Sequence, residues 1–160
     1  MNRIAWPLAA ATLAGAALTF MLEPIVGRLV TASFGGAVHV WTVCLMTFQM
    51  LLFAGYLWAW VGASRLGRWH VLTLLIGVVF LPLGVEATPD PGASVLHLVG
   101  ELLTDIGPIF FLLSTTAVVT QQWWTRSKAL AAYDPYILYA ASNLGSLTAL
   151  LAYPFLIEPN

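Results

Sequence analysis

Two groups of ionisable side chains in this sequence have the types and spacing that chemistry requires. Glu23 and Arg28 lie five residues apart between long apolar runs, and His97, Glu101 and Asp105 follow at intervals of four. An acid and a base beside an apolar run could together grip a charged ligand. A histidine with two carboxylates could bind a divalent cation or relay protons.

Glu23 and Arg28 also have a structural interpretation, which we favour. Charged side chains next to lipid usually pair with one another, because an unpaired charge is costly there. The sequence therefore predicts an ion pair between Glu23 and Arg28 that locks residues 24–37 onto the rest of the protein.

His97, Glu101 and Asp105 would share one face of a helix over residues 94–106, with apolar residues between them. A metal site usually takes ligands from more than one element. We therefore favour a solvated face of an interfacial helix. If this helix were embedded in the membrane, two buried carboxylates would be expensive and a functional role would be favoured instead.

A third group consists of small polar residues near the C-terminus. It could line a polar path between two helices, or it could form hydrogen bonds that hold the helices together, which we favour because small residues at intervals of four promote close helix packing. Its members are Ser114, Thr115, Thr116, Ser142, Asn143, Gly145 and Ser146.

The elements that position these residues follow from composition. Of the 160 residues 60% are hydrophobic and 8% charged, whereas soluble domains have about 25% charged residues. Apolar runs of about 20 residues, the length that crosses a bilayer, predict an all-α polytopic helix bundle in a single domain. The predicted spans are residues 5–20, 38–61, 69–85, 109–124 and 136–156, with interfacial or re-entrant segments at 24–37 and 94–106.

The basic residues predict an orientation. With five spans, all lysines and arginines except Arg28 fall on one side, which is the cytoplasmic side by the positive-inside rule. We therefore expect a multi-pass protein of the bacterial inner (cytoplasmic) membrane with a cytoplasmic N-terminus.

Several functions are disfavoured by the same composition. A net charge of −1 gives no reason to expect nucleic acid as a partner. Cys44 is the only cysteine, and His39 and His70 are predicted on opposite sides of the membrane, so we expect no metal, haem or other cofactor.

Longer motifs carry a family resemblance. They are Glu-Pro-Ile-Val-Gly-Arg-Leu-Val at 23–30, Phe-Gly-Gly at 34–36, Val-Trp-Thr at 40–42, Phe-Leu-Leu-Ser-Thr-Thr-Ala at 111–117, the run 134–147 that begins Asp-Pro-Tyr, and Tyr-Pro-Phe-Leu-Ile-Glu-Pro at 153–159. These motifs resemble the N-terminal membrane domain of the spermidine-synthase-like bacterial membrane proteins, in which transporter-like spans are fused to an aminopropyltransferase domain. The runs 20–24 and 155–159 also echo each other, as in transporter folds with internal repeats.

The resemblance implies a membrane domain without its enzyme. No glycine-rich nucleotide loop after a predicted strand is present, so we expect the chain to lack the soluble aminopropyltransferase domain and to be non-catalytic. His97, Glu101 and Asp105 depart from the apolar run expected there.

Three functions remain open at this point. We favour a structural or accessory subunit that packs against other membrane proteins in a larger complex. The alternatives are a transport or binding domain for a small polyamine-like cation, and the membrane half of a longer aminopropyltransferase-like protein.

Overall fold

The computed structural model describes residues 3–34, 38–77 and 94–158, and the regular elements in these ranges are all helical. This confirms the predicted all-α fold. In chain order the elements are α1 (Ala5–Phe34), α2 (Val38–Leu66), a 3-10 turn (Gly67–Trp69), α3 (His70–Gly77), α4 (Val95–Glu101), a π-helical turn (Leu102–Ile106), α5 (Gly107–Arg126), a second 3-10 turn (Lys128–Leu130), α6 (Tyr136–Ala152) and a second π-helical turn (Tyr153–Ile157).

Four helical runs in the described ranges are long and apolar enough to cross a membrane. They are Ala5–Ala32, Val38–Gly62, Val95–Arg126 and Tyr136–Ile157. These runs contain the predicted first, second, fourth and fifth spans. The predicted third span, 69–85, lies within the described residues only as far as Gly77.

The predicted break after the first span is wrong. Helix α1 continues through Pro24 to Phe34 without interruption, so residues 24–34 are not a separate interfacial segment, and 35–37 lie outside the described residues. Proline is tolerated inside membrane helices because neighbouring helices and local adjustments compensate for the missing hydrogen bond. Gly27 is also helical, and the Trp41 ring of α2 occupies the space beside it.

The predicted separation of an interfacial segment 94–106 from a fourth span is also wrong. Residues Val95–Arg126 form one helical run. The π-helical turn within it changes the hydrogen-bond pattern but does not end the helix. Its 32 residues measure about 48 Å, more than the ~30 Å hydrocarbon core of a bilayer. The run is therefore longer than a single crossing of the hydrocarbon core requires, which a division by composition could not reveal.

The helix directions follow from side-chain contacts. Phe48 stacks on Phe110 with ring centroids 4.9 Å apart, and Gln122 Nε2 donates to the Ala59 carbonyl at 3.1 Å, so α2 and α5 run parallel. Helix α1 runs parallel to α6 and antiparallel to both α2 and α5. We call the end that holds Phe34 and Glu158 the Phe34 end, and the opposite end the Gly67 end.

Two aromatic and basic contacts illustrate the two ends of the bundle. Gly67 lines a cavity together with Arg126 at the Gly67 end. The His97 ring lies 6.1 Å from the Phe34 ring at the other end.

The largest of three clusters of buried apolar residues in the described ranges lies towards the Phe34 end. Its buried members come from α1, α2 and the run that begins at α4, and they are Val26, Val30, Val40, Cys44, Phe48, Leu98, Leu102, Ile106 and Phe110. Because Leu98, Leu102 and Ile106 face this core, the polar residues between them face away from it.

Candidate functional site

A line of buried threonines joins α1 to α5. The hydroxyls of Thr12 and Thr120 are 2.7 Å apart, and Thr19 donates to the carbonyl of Gly15 at 2.8 Å. Gly15 in turn lies against Thr116, leaving no room for a larger side chain. The Thr12–Thr120 bond joins two helices and the Thr19 bond lies within α1, so none of these hydroxyls is a free group for a ligand.

The residues of the predicted polar cluster on α5 and α6 differ in how deeply they are buried. Ser114, Thr115 and Thr116 are buried, Ser142 and Ser146 are half-buried, and Asn143 is exposed. Helix α6 packs mainly against α1 rather than α5, although Ser114 and Ser142 line one small cavity. Gly145 permits this arrangement by contacting the α1 backbone at Leu13.

A small cavity lies among the four long helices. It has a volume of about 10 Å³ and is lined by Thr19, Tyr56, Ser114 and Ser142, among others. A volume of this size holds about one water molecule. In this conformation the described residues therefore leave no room for a metabolite at this point in the bundle.

His70 is a buried polar residue whose contacts the sequence did not indicate. Its Nε2 lies 3.0 Å from the hydroxyl of Thr115, its Nδ1 lies 3.2 Å from the hydroxyl of Thr73, and its ring lies 5.3 Å from the Trp58 ring. Thr115 donates its own proton to the Leu112 carbonyl at 2.6 Å, so Nε2 of His70 is the donor in their bond. The only indication in the sequence was that His70 lies near a predicted membrane interface.

Glu23 and Arg28 do not form the predicted ion pair. Five residues of α-helix place them on different faces of α1. Glu23 lies on the inner face, and its Oε1 is buried without a hydrogen-bond partner among the described residues. The Nη1 of Arg28 donates instead to the backbone carbonyl of Glu158, 3.2 Å away.

Arg28 and Glu158 line an open cleft at the Phe34 end, which we call the Arg28–Glu158 cleft. Its volume is about 290 Å³, and Gly27, Trp41 and Tyr153 form part of its walls. The two echoed Glu-Pro segments thus meet, because Pro24 lines the same cleft as Glu158.

The group at 97–105 does not form a three-ligand site. His97 Nε2 lies 3.1 Å from Glu101 Oε1, while Asp105 accepts a hydrogen bond from Thr104 at 2.9 Å. The π-helical turn changes the helical phase between Glu101 and Asp105. In the described ranges no group of three or more His, Cys, Asp or Glu side chains could hold a metal ion.

The outer face of α6 carries an amide at membrane depth. Asn143 is the eighth residue of the span Tyr136–Ile157, and its exposed side chain has no hydrogen-bond partner among the described residues. It continues a stripe of exposed residues formed by Tyr136, Tyr139, Leu147 and Leu150.

The fold and these sites define a multi-pass α-helical membrane protein. No family model, curated protein or solved structure matches the chain.

Proposed function

We propose that the chain is a non-catalytic membrane subunit that docks against another membrane helix through the outer face of α6. The observation that carries this proposal is Asn143, an amide at the depth of the hydrocarbon core that faces away from its own bundle. An amide transferred to an apolar medium without a partner costs about 4–8 kcal/mol. A helix from another protein chain would supply the partner.

The neighbours of Asn143 suit a helix partner. Tyr136, Tyr139, Asn143 and Leu150 follow at intervals of three, four and seven, which is the pattern of a helix-packing seam. The small residue Ala140 is exposed beside them and lets a partner backbone approach closely. A single polar residue in such a seam also selects the register and the partner.

The test compares Asn143→Leu with Thr148→Val. Thr148 is an exposed polar residue of the same helix, but its hydroxyl is already bonded to the Leu144 carbonyl at 2.7 Å. We expect mild detergent to extract wild type and Thr148→Val from the membrane as a complex of defined stoichiometry, and Asn143→Leu as a single chain. Size-exclusion chromatography with light scattering measures the mass. A monomeric wild type, or a complex that survives Asn143→Leu, would refute the proposal.

Differently tagged copies of the chain identify the partner. Co-purification of both tags from one membrane indicates a second copy, whereas a single tag with a stoichiometric second protein indicates a different subunit.

The proposed location is the bacterial inner membrane with the Gly67 end in the cytoplasm. Arg65, Arg126 and Lys128 all lie at this end, in agreement with the positive-inside rule. In a Cys44→Ala background, an impermeant maleimide should label Glu158→Cys in intact cells and Lys128→Cys only after lysis. The reverse pattern would refute this orientation.

A second candidate function is the binding or transport of a small cation. Glu23 favours it, because a carboxylate on the inner face of a membrane helix with a buried, unpartnered oxygen is suited to a cationic ligand. The resemblance to spermidine-synthase-like membrane proteins makes a polyamine the first ligand to test. Glu23→Gln should abolish uptake of radiolabelled spermidine, and Glu101→Gln should not. Equal uptake by wild type and Glu23→Gln would eliminate this function.

A further inference from the structure

We propose that the Arg28–Glu158 cleft binds a zwitterionic group with one ammonium and one phosphate, in the form of a phospholipid headgroup. The proposal does not depend on the subunit function, because the cleft and the outer face of α6 comprise different residues.

The cleft has one basic and one acidic side chain, Arg28 and Glu158, that do not pair with each other. Arg28 uses one guanidinium N–H on the Glu158 backbone carbonyl, and its remaining donors are available. The carboxylate of Glu158 is exposed and forms no ion pair with Arg28, although both residues line the same cleft. An arginine and a glutamate that line one cleft without forming an ion pair match a ligand that carries both charges.

Each charge has a suitable role in binding. A guanidinium binds phosphate through parallel N–H donors, which makes arginine a strong phosphate ligand. A carboxylate binds an ammonium, and the faces of Trp41 and Tyr153 add cation–π attraction where the ammonium lies against them. The Trp41 ring is held in place by its contact with Gly27, where any side chain would collide with it.

The end of α6 is shaped to bring Glu158 to the cleft. The amide of Glu158 donates to the Tyr153 carbonyl at 2.9 Å, which closes a π-helical turn. Such turns insert one extra residue into a helix and occur frequently at functional sites.

The position of the cleft selects a lipid as the source of the zwitterion. The cleft is bounded by the last third of α1, the first turn of α2 and the end of α6. Headgroups lie at the ends of membrane helices, where tryptophan and tyrosine are enriched. The volume of about 290 Å³ is close to the lower end of the range for ligand sites, roughly 300 Å³, and suits a headgroup.

The experiment titrates the purified full chain with phosphatidylethanolamine or phosphatidylglycerol and measures bound lipid by native mass spectrometry. Phosphatidylglycerol shares the phosphate but lacks the ammonium. We expect phosphatidylethanolamine to bind about tenfold more tightly, since loss of one charged contact costs about this factor. Arg28→Gln should weaken both lipids, whereas Glu158→Gln should weaken only phosphatidylethanolamine.

Two controls accompany these variants. Arg65→Gln removes a charge at the Gly67 end, and Glu101→Gln removes an acid at the Phe34 end outside the cleft, so both should bind as wild type does. Because Arg28 and Glu158 are exposed, their variants should fold, which unfolding temperatures verify. Equal binding of the two lipids, or wild-type binding by either cleft variant, overturns the proposal.

Free phosphoethanolamine distinguishes the two sources of the same chemistry. If it fails to displace the lipid, a phospholipid is the ligand, as proposed. Displacement by the free molecule would assign the zwitterion to a soluble compound and overturn the lipid assignment.

Discussion

At Gly145 helix α6 lies directly against the backbone of α1, and Gly145→Ala should destabilise the bundle. A Cβ at this position would overlap the Leu13 carbonyl oxygen and stand 3.1 Å from the Leu13 carbonyl carbon and 3.2 Å from the Ala17 nitrogen. These atoms belong to the backbone of the neighbouring helix. No rotamer change relieves the overlap, so α6 must move away from α1.

The cost follows from the size of this movement. Relief requires a separation of about 1 Å, and a gap of 0.5–1 Å forfeits roughly a quarter to a half of each dispersion contact. The pair α1 and α6 is the most extensive helix contact in the described part of the chain. Overpacking typically costs about 1–3 kcal/mol, and we expect Gly145→Ala to lie near the top of this range. The unfolding temperature should fall by about 5–10 °C.

Two further glycines provide a graded comparison. A methyl group on Gly100 in α4 would have no neighbouring atom within 4 Å, so Gly100→Ala should be neutral or stabilise by up to about 1 kcal/mol through helix propensity. At Gly15 the same methyl group would lie 2.9 Å from Cβ and Cγ2 of Thr116, a smaller overlap than the one at Gly145. Gly15→Ala should therefore fall between the other two.

Circular dichroism during heating in mild detergent measures all three variants. The expected order of unfolding temperature, from highest to lowest, is Gly100→Ala, then Gly15→Ala, then Gly145→Ala. If Gly145→Ala unfolds at the same temperature as Gly100→Ala, the close approach of α6 to α1 is refuted.

Three other perturbations test the interior. A double-mutant cycle of Thr12→Val and Thr120→Val should give a coupling of about 0.6 kcal/mol, as for an average hydrogen bond between membrane helices, and zero coupling would contradict their contact. Thr115→Val leaves Nε2 of His70 buried without its partner and should lower the free energy of unfolding by about 1–3 kcal/mol. Adding His70→Phe should restore most of this loss. An unchanged unfolding free energy in Thr115→Val would contradict the bond. Phe48→Ala removes a fully buried ring and should cost about 3–5 kcal/mol in chemical unfolding, and a cost no larger than that of an exposed residue would contradict its burial.

The long helices could be predicted from the sequence, but their ends could not. Runs of apolar residues predicted four of the spans, since only a helix satisfies its backbone within lipid. The predicted first span ended at residue 20 and the predicted fourth began at residue 109, yet Pro24 and Gly107-Pro108 beside these boundaries lie in continuous helical runs. Proline and glycine interrupt helices in water, where the freed groups bind solvent, whereas packed membrane helices tolerate them.

The candidate sites were predicted by residue type but not by pairing. Arg28 was expected to pair with Glu23, five residues away, and instead bonds to Glu158, 130 residues away. The echo between the two Glu-Pro segments was visible in the sequence, but their meeting at one cleft depends on the parallel packing of α1 and α6. His70 gave no sign of its bond to Thr115, because a lone histidine near an interface has many possible environments.

The sequence by itself determined that this chain is a helical membrane protein, because 8% charged residues cannot cover a water-facing surface and the apolar runs match a bilayer in length. Only the tertiary structure decided which face of each helix is inside. In a membrane, buried and lipid-facing positions are both apolar, so hydrophobic periodicity does not distinguish them. That is why the sequence could not show that α6 packs mainly against α1, that Asn143 faces outwards, or that Arg28 and Glu158 share a cleft.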